Sequence, residues 1–529
     1  MQTPKCDRAA AERHIISPRP TRRGLLSLSA LGILAAGTRR ARAAPYGQLV
    51  YASHISLAPT WFDPAETPGL ITPFMLYYAL HDALVKPMPG KATELCLASA
   101  YNVSPDGLSH EFVLREGVKF HNGEPVTPAD VKFSFERYRG NAASFIKSKV
   151  AAVETPDAQR VVFRLHKPWP DFLLYYSSVT GAGWIVPRKY LESVGEDGFK
   201  KAPIGAGPYR FVSFNPGVEL VMEATEGYWR KSPEVKRLIW RVIPDETTRL
   251  AALKRGEVDI AYSVRGELAE ELRRSPGLTL RPVVINSPFW IYFADQWDSR
   301  SPWSDPRVRK AATLALDRDA INQALTLGHS LITGSIVPKD YEFYWQPPKI
   351  PYDPDGARRL LAEAGLRNGF DGGEYYCDTS YANLGEAVLN FLQEIGIRLR
   401  LRAIERAAFN KGYMEKSYRN LIQGGSGAFG NAATRMETFV VKGGAYVYGS
   451  YPDIDELFAR QAETTDRTER EKLLHRMQQK VHERTVYAPL WQLAFLNGQG
   501  RRVDEAGFNL IGGHPYSAPY EDVRLKSGA

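Results

Sequence analysis

The stretch that most constrains the fold of this chain runs from Tyr101 to Tyr138 and follows a pattern of strand, turn, strand, turn and helix. Residues 104–107 (SPDG) predict a tight turn, because Pro fixes one φ angle and Gly accepts a positive one. Phe112 then alternates with polar neighbours, as in a half-buried strand. Residues 127–130 (TPAD) predict a helix start, with Thr as N-cap and Pro at the first helical position. Periodicity alone therefore predicts a hairpin that leads into an amphipathic helix, which many folds contain.

The residue string itself is more specific than its periodicity. Residues 105–134 are PDGLSHEFVLREGVKFHNGEPVTPADVKFS. This string resembles the signature segment of the peptide/nickel-type extracellular solute-binding proteins, the binding components of ABC importers. Two later runs are similar to text of the same family, residues 203–211 (PIGAGPYRF), in which Ala206 replaces the usual Thr, and residues 243–260 (IPDETTRLAALKRGEVDI). The resemblance covers nearly all of the chain after its first segment.

The first segment, residues 1–43, has the pattern of an export signal. Arg22 and Arg23 precede an apolar run, 24–37, which is too short to span a bilayer and has the length of a signal-peptide core. Small residues up to Ala43 then predict a cleavage site near that residue. The paired arginines favour twin-arginine export, and an ordinary Sec signal with a basic start is the alternative. We therefore expect a protein that is exported to the periplasm.

The charge of the chain changes once this segment is removed. Residues 1–43 hold nine Lys/Arg and two acids, so they account for +7 of the net charge of +9 and leave +2 for the remainder. A strongly basic folded domain, the usual sign of nucleic-acid binding, is therefore not expected. No pattern of cysteine and histidine spacing predicts a metal site, and no cofactor is expected. Because the family resemblance puts Cys96 and Cys377 in different lobes, we expect no disulfide bond between them.

The resemblance implies an α/β fold, the two-lobe periplasmic binding protein fold (class II, large peptide-binding type) with an extra subdomain in the first lobe. From Val283 onward strands alternate with helices, which favours an α/β lobe. Crossovers near 283–286 and 488–493 would divide the chain into lobes that close on a ligand. The expected boundaries are a signal peptide at 1–43, first-lobe segments at 44–78 and 184–284, an extra subdomain at 79–183, a second lobe at 285–490, and a first-lobe return at 491–529.

The function that the resemblance implies is capture of a small solute, a peptide or a peptide-like molecule, and its delivery to an inner-membrane ABC permease. The expected partners are that solute and, transiently, the permease with its ATPase; the protein itself is expected to be a monomer and not an enzyme. A non-peptide ligand such as an opine, a sugar conjugate or an organic acid is the alternative within this class. A secreted serine hydrolase that uses Ser426 is the alternative of another class.

The glycine-rich loop at 425–430 (GSGAFG) matches GxGxxG, but the acid expected about twenty residues later in a dinucleotide site falls on Gly449-Ser450. Ala428 stands where a nucleophile elbow needs its second Gly, which disfavours the hydrolase. A tightly turned loop in the cleft is the commoner explanation. In peptide-binding members of the resembled family, the corresponding segment carries an Asp that pairs with the peptide α-ammonium.

Residues 423–431 (QGGSGAFGN) contain neither a carboxylate nor a Trp. Because a buried ammonium needs a paired charge, ordinary dipeptide binding is not expected. Arg435 could instead bind a ligand carboxylate, or it could be a solvent-facing Arg on a helix. Aromatic residues next to the crossovers or in a Gly-rich loop are further candidates for the cleft, although such residues are more often core. The predicted ligand-binding residues are Trp290, Tyr292, Gly425, Ser426, Gly427, Phe429, Arg435, Tyr446 and Trp491.

Overall fold

The computed structural model describes residues 44–67, 72–140, 142–425, 430–508, 510–511 and 514–527. The predicted export signal at 1–43 lies outside these ranges. Within them, no helix combines the length and the apolar character that a membrane crossing requires. Residues 45–529 form one compact unit.

The described strands are numbered in chain order. They are β1 Tyr46–Ser53, β2 Asp82–Ala83, β3 Val85–Met88, β4 Lys91–Leu95, β5 Ala98–Val103, β6 Ser109–Leu114, β7 Val150–Glu154, β8 Arg160–Leu165, β9 Trp184–Ile185, β10 Tyr209–Asn215, β11 Glu219–Ala224, β12 Val235–Val242, β13 Ile260–Ala261, β14 Thr279–Phe293, β15 Leu331–Ile332, β16 Phe370–Asp378, β17 Ile397–Ile404, β18 Leu421–Gly425, β19 Tyr487–Gln499, β20 Val503–Glu505 and β21 Arg524–Leu525.

The helices are named by their bounds. The α-helices are Phe74–Leu80, Pro128–Arg137, Ala143–Lys149, Phe172–Leu174, Arg188–Lys201, Glu246–Arg255, Gly266–Arg274, Pro306–Leu314, Arg318–Thr326, Pro354–Glu363, Ala382–Glu394, Arg406–Met414, Ala432–Phe439, Pro452–Glu463 and Arg467–Glu483. A π-helical turn, Tyr175–Val179, continues the short helix before it, and short 3-10 turns lie at Pro59–Phe62, Pro64–Glu66, Ala294–Trp297, Pro302–Ser304, Thr379–Tyr381 and Tyr520–Asp522.

One eleven-stranded sheet runs through the molecule in the order β10-β11-β12-β1-β13-β19-β14-β18-β16-β17, with β15 paired to β19. We call the part built on β1 and β10–β13 the first lobe and the part built on β16–β18 the second lobe. The two long strands β14 and β19 pair antiparallel with each other and pass through both lobes. Their register shifts between Val284 and Pro288, at the first predicted crossover. A shift of this kind bends a strand, so the connection between the lobes is made where the pairing is irregular.

A separate four-stranded sheet, β5-β6-β8-β7, lies within the segment 79–183 and has its own hydrophobic cluster, with Phe112, Val131 and Phe163 among its buried members. A segment with its own sheet and core is what an extra subdomain requires. The predicted helix start at Thr127 is confirmed, because the Asp130 carboxylate accepts a hydrogen bond from the Thr127 backbone N–H at 2.9 Å.

In two places the hydrophobic pattern of the sequence and the structure differ. Apolar spacing favours a helix from Phe74 to Leu84, but the helix ends at Leu80, and the chain turns extended at His81 so that β2 can pair with β9. The alternation at residues 118–120 favours a strand, and Val118 and Phe120 are buried, yet the segment makes an isolated bridge from Lys119 to Pro125 in place of a full strand. In both cases a tertiary contact overrides the local hydrophobic pattern.

The two cysteines of the described chain, Cys96 and Cys377, are both buried and free. Burial raises the pKa of each thiol to about 12. Both are therefore protonated at neutral pH and behave as small apolar side chains.

Candidate functional site

A cavity of about 130 Å³ lies between the lobes, beside the middle of β14 and β19. Both lobes contribute walls, and eight of the lining side chains are aromatic. The lining residues are Thr72, Ser287, Phe289, Asp378, Tyr381, Arg406, Phe409, Asn410, Tyr413, Gln423, Gly425, Phe439, Tyr446, Phe495 and Tyr516. A concave space lined by aromatic side chains, with a few placed polar groups, is a usual form of a small-molecule site.

A larger cavity, about 450 Å³, lies beside the helix Arg467–Glu483 and includes Lys310, Trp345 and His482 in its lining. All of its lining residues belong to the second lobe, between positions 310 and 489. Lobe closure cannot enclose a ligand in a cavity that one lobe makes alone. The smaller cavity between the lobes is therefore the candidate site.

The polar groups of the candidate site stand at the carboxyl ends of neighbouring parallel strands. β16 pairs in parallel with both β17 and β18. Asp378 is the last residue of β16, Gly425 is the last of β18, and Arg406 follows the end of β17 by two residues. In open α/β sheets, ligands bind outside the carboxyl ends of such strands.

Aromatic pairs make the walls of the cavity rigid. The Phe439 and Tyr446 rings stack with their centroids 5.2 Å apart, and Tyr413 meets Tyr446 edge to face at 4.9 Å. Across the cavity, Phe289 meets Tyr381 edge to face at 4.8 Å. Each such pair adds about 0.5–1.5 kcal/mol beyond its area burial, so the shape of the space is largely preformed.

The charged pair of the cavity is Arg406 with Asp378. The Arg406 Nε donates to Asp378 Oδ2 at 2.6 Å, and Asp378 Oδ1 accepts from the Ser380 backbone N–H at 2.9 Å. Burial alone would lower the pKa of Arg406, but Tyr381 and Asp378 raise it above its ordinary value. Arg406 is therefore cationic at the site, and the carboxylate of Asp378 already has two donors.

The structure places only some of the predicted ligand-binding residues in the lining. Gly425 and Tyr446 line the cavity. Ser426, Gly427 and Phe429 lie outside the described residues, so their role stays a prediction.

Three predicted aromatic residues lie in the packed core. Trp290 and Tyr292 belong to a hydrophobic cluster of the second lobe, and Trp491 belongs to the main cluster that joins both lobes. The Tyr292 hydroxyl accepts hydrogen bonds from Trp297 Nε1 at 3.1 Å and from the Tyr448 backbone N–H at 3.2 Å. These contacts are structural, and none of the three residues is part of the cavity lining.

Arg435 is buried in the helix Ala432–Phe439 and is not solvent-facing. Its guanidinium lies over the rings of Tyr341 and Phe439, at 5.6 and 5.4 Å from their centroids. Burial lowers its pKa, and Tyr341 opposes that shift. Arg435 therefore stands directly behind Phe439, one layer away from the cavity.

Sequence reasoning missed the charged and aromatic residues that the second lobe places in the lining, above all Asp378, Arg406, Phe409 and Tyr413. One signal could have found the first two. Each comes at or just after the end of a strand of the parallel pair β16 and β17, where ligand-binding groups collect.

A second contact holds the lobes together beside the cavity. Asp171, next to the extra sheet, accepts from Arg470 Nη2 at 2.7 Å and from Asn431 Nδ2 at 2.8 Å. The Tyr175 hydroxyl donates to the Glu437 carboxyl. We call these five residues the interlobe contact. Asp171 and Arg470 are both buried, so the contact exists only while the lobes are together.

The interlobe contact is expected to depend on pH through Glu437. Burial raises the pKa of Glu437 to about 7, with Tyr175 and Lys149 opposing that shift. An acid whose pKa is raised on closure takes up a proton, so closure weakens as pH rises from about 4.5 to about 7, by on the order of 3 kcal/mol. We expect Glu437→Gln to melt at a higher temperature than the unchanged protein at pH 8 and at nearly the same temperature at pH 4. An equal difference at both pH values would contradict this assignment.

Within the described ranges, no group of three or more His, Cys, Asp or Glu residues is placed to hold a metal ion. The polar groups of the described lining are those of an organic ligand site: one guanidinium paired with one carboxylate, hydroxyls and side-chain amides.

Comparison with known proteins agrees with this geometry. The model of the family described as bacterial extracellular solute-binding proteins, family 5, middle, matches residues 93–446. The glutathione-binding protein GsiB of Pectobacterium atrosepticum is 29% identical over 409 residues, which are 73% of this chain and 77% of that protein.

Two solved structures share the fold. AgaA of A. tumefaciens R10, in complex with agropinic acid, has a TM-score of 0.77 and 26% identity and covers 91% of this chain and 99% of its own. DppA of Helicobacter pylori, in complex with the peptide STSA, has a TM-score of 0.77 and 23% identity and covers 91% of this chain and 98% of its own. These matches confirm the two-lobe periplasmic binding protein fold predicted from the sequence. Because the family model matches more than half of the length of this chain, the chain belongs to the family 5 bacterial extracellular solute-binding proteins.

Proposed function

We propose that this chain is the exported receptor of an ABC importer, which captures one small solute between its lobes and delivers it to a membrane permease. The observation that supports this proposal most is the cavity between the lobes, to which both lobes contribute walls. Residues 1–43 would be a cleaved signal of the twin-arginine type, and the mature protein would be a periplasmic monomer. The permease and its ATPase would meet it only transiently. The proposed lobe boundaries are those expected from the sequence, with the second lobe at 285–490 and the extra subdomain at 79–183.

The ligand class follows from the charges of the cavity. The carboxylate in the described lining, Asp378, already accepts from Arg406 and from the Ser380 backbone. A peptide α-ammonium would enter this space without a free counter-charge, which is unfavourable. Of the proteins named above, GsiB binds glutathione and AgaA is in complex with agropinic acid, two molecules that carry carboxylate groups, while DppA is in complex with the peptide STSA. We therefore propose a carboxylate-bearing solute and weak binding of simple dipeptides.

Isothermal titration tests this ligand class directly. Simple dipeptides, glutathione, an opine and small organic acids are titrated into the mature protein. We expect dissociation constants above about 100 μM for dipeptides and at least tenfold tighter binding of an acid of the correct class. Dissociation constants below 1 μM for simple dipeptides would contradict the proposal.

The chain is also proposed to bind without chemical turnover. Mass spectrometry of the ligand after long incubation should recover it unchanged, both with the natural protein and with Ser426→Ala. Turnover that disappears in Ser426→Ala would favour the hydrolase over the binding protein.

A further inference from the structure

Two arginines from different lobes flank the same aromatic ring at the edge of the cavity. Arg265 follows β13 in the first lobe, and Arg406 follows β17 in the second. Their guanidinium carbons lie 5.6 and 5.7 Å from the centroid of the Tyr381 ring. Tyr381 and Arg406 both line the cavity.

Both guanidinium groups have donors that no described residue accepts from. The Arg406 Nε donates a hydrogen bond to Asp378 at 2.6 Å, and the Arg265 Nη1 donates to the Ser380 carbonyl at 2.5 Å. Arg406 Nη2 and Arg265 Nε are buried and have no acceptor among the described residues. A buried donor without an acceptor is destabilising by about 1–3 kcal/mol, and by more when it is charged. Two such donors beside the Tyr381 ring, at the edge of the cavity, therefore point to an acceptor that belongs to the ligand.

Three arginines and three carboxylates lie around this position. A third arginine, Arg249, lies close by, but its donors go to backbone carbonyls, among them Tyr262 and Ser263 at 2.6 Å each. The nearby carboxylates are Asp378, Glu246 and Asp245, and Glu246 accepts from the backbone N–H of Arg265. Three arginines therefore stand beside three carboxylates, and of these arginines Arg406 and Arg265 keep buried donors without an acceptor among the described residues.

His54 lies close to the same three arginines, Arg406, Arg249 and Arg265. The His54 Nε2 atom and the Tyr516 hydroxyl share a hydrogen bond, with 3.2 Å between the two atoms. Burial, with Arg406, Arg249 and Arg265 acting in the same direction, lowers the pKa of His54 well below its ordinary value. His54 is therefore neutral at physiological pH and adds no further cation.

We infer that Arg406 and Arg265 form an anion subsite that binds a carboxylate of the solute from both lobes at once. A carboxylate has two planar oxygens, and guanidinium groups bind such oxygens through parallel hydrogen bonds. The rest of the solute occupies the aromatic part of the cavity, between Phe409, Phe439 and Tyr446. The ligand class is a small acid with an apolar or ring-shaped body.

This subsite also couples binding to closure. Arg265 reaches the carbonyl of Ser380 and the ring of Tyr381 in the second lobe only while the lobes are together. An anion bound by both arginines adds a second link at the same place. The solute therefore stabilises the closed form because that form alone offers both cations.

The inference rests on the proposed function, and the test separates the two. The probe is a bacterial small-molecule extract below 1 kDa, used as prepared and after methyl esterification, which removes carboxylate charge. The mature protein is incubated with each extract, desalted and measured by native mass spectrometry. We expect a bound small molecule from the untreated extract and none from the esterified one.

Variants then locate the subsite. For the acid identified in this way, Arg406→Met and Arg265→Met should each weaken binding by about 10- to 100-fold. Arg406→Lys, which keeps the charge and loses the fork, should fall between the natural protein and Arg406→Met. Arg419→Met, at a side chain that is 74% exposed, is the matched control and should bind as the natural protein does. Melting temperatures of the ligand-free variants show whether each one is folded.

Two results would overturn the subsite. Equal retention of the same molecule from both extracts would show that no carboxylate is needed, and the proposed function would stand. Unchanged affinity in a folded Arg406→Met variant would show that Arg406 does not bind the solute, and the proposed function would again stand. Retention of nothing from either extract would count against the subsite and the proposed function together.

Discussion

Asp171→Ala is expected to weaken lobe closure by about 3–5 kcal/mol, because it removes the anion of a buried ion pair and leaves Arg470 unpaired. Asp171 and Arg470 are each about 7% exposed at the side chain, and they meet at 2.7 Å across the lobes. Asn431 loses its acceptor in the same variant. Opening of the lobes exposes Arg470 to water, whereas the closed form keeps its charge buried and unpaired. The variant therefore destabilises the closed form relative to the open one.

A matched control lies on the same surface. Lys167 and Glu463 also pair across the lobes at 2.8 Å, but their side chains are 75% and 66% exposed. Exposed pairs contribute about 0–1 kcal/mol, so Lys167→Ala should change little. The measurement is small-angle X-ray scattering with saturating ligand, in which Asp171→Ala should stay more extended than Lys167→Ala. Equal compaction of the two variants would show that the interlobe contact does not hold the closed form.

Asp82→Ala is expected to lower the free energy of unfolding by about 3–5 kcal/mol. The Asp82 carboxylate is buried and pairs with Lys86 at 2.9 Å, and both side chains are almost fully inaccessible. It also accepts from the Tyr228 hydroxyl at 2.8 Å and from Trp229 Nε1 at 2.7 Å. Burial alone would lower the pKa of Lys86, but Asp82 reverses that shift and keeps it raised.

The double variant Asp82→Asn with Lys86→Met tests this cause. It keeps an acceptor for Tyr228 and Trp229 and removes the buried ammonium, so it should recover most of the lost stability. Chemical denaturation gives the free energies. If the double variant is no more stable than Asp82→Ala, the lost stability does not come from the unpaired Lys86.

The sequence predicted those parts of the fold that depend on local signals. The helix that follows Thr127 starts where its capping residue indicates. These signals work because an N-cap satisfies backbone groups within a few residues of itself. The fold class came from residue identity over a long segment, which periodicity alone does not supply.

The candidate site was harder to predict because it depends on which face of a strand meets the cleft. Trp290 and Phe289 are neighbours in β14 and point to opposite faces of the sheet. Phe289 lines the cavity, and Trp290 is buried in the core of the second lobe. Arg406 and Asp378 are 28 residues apart, and only the parallel pairing of β16 with β17 brings them together. Local sequence does not determine which face of a strand meets the cleft, and it does not determine which strand pairs with which.

The central claim is that one small acid binds between the lobes. Native mass spectrometry of the protein purified from its exported compartment, before and after denaturation, tests it most directly. We expect one bound molecule per chain, released on denaturation as a single species that carries a carboxylate. A ladder of released peptides of different lengths would contradict it, because the preformed cavity and its arginines would then not select the ligand.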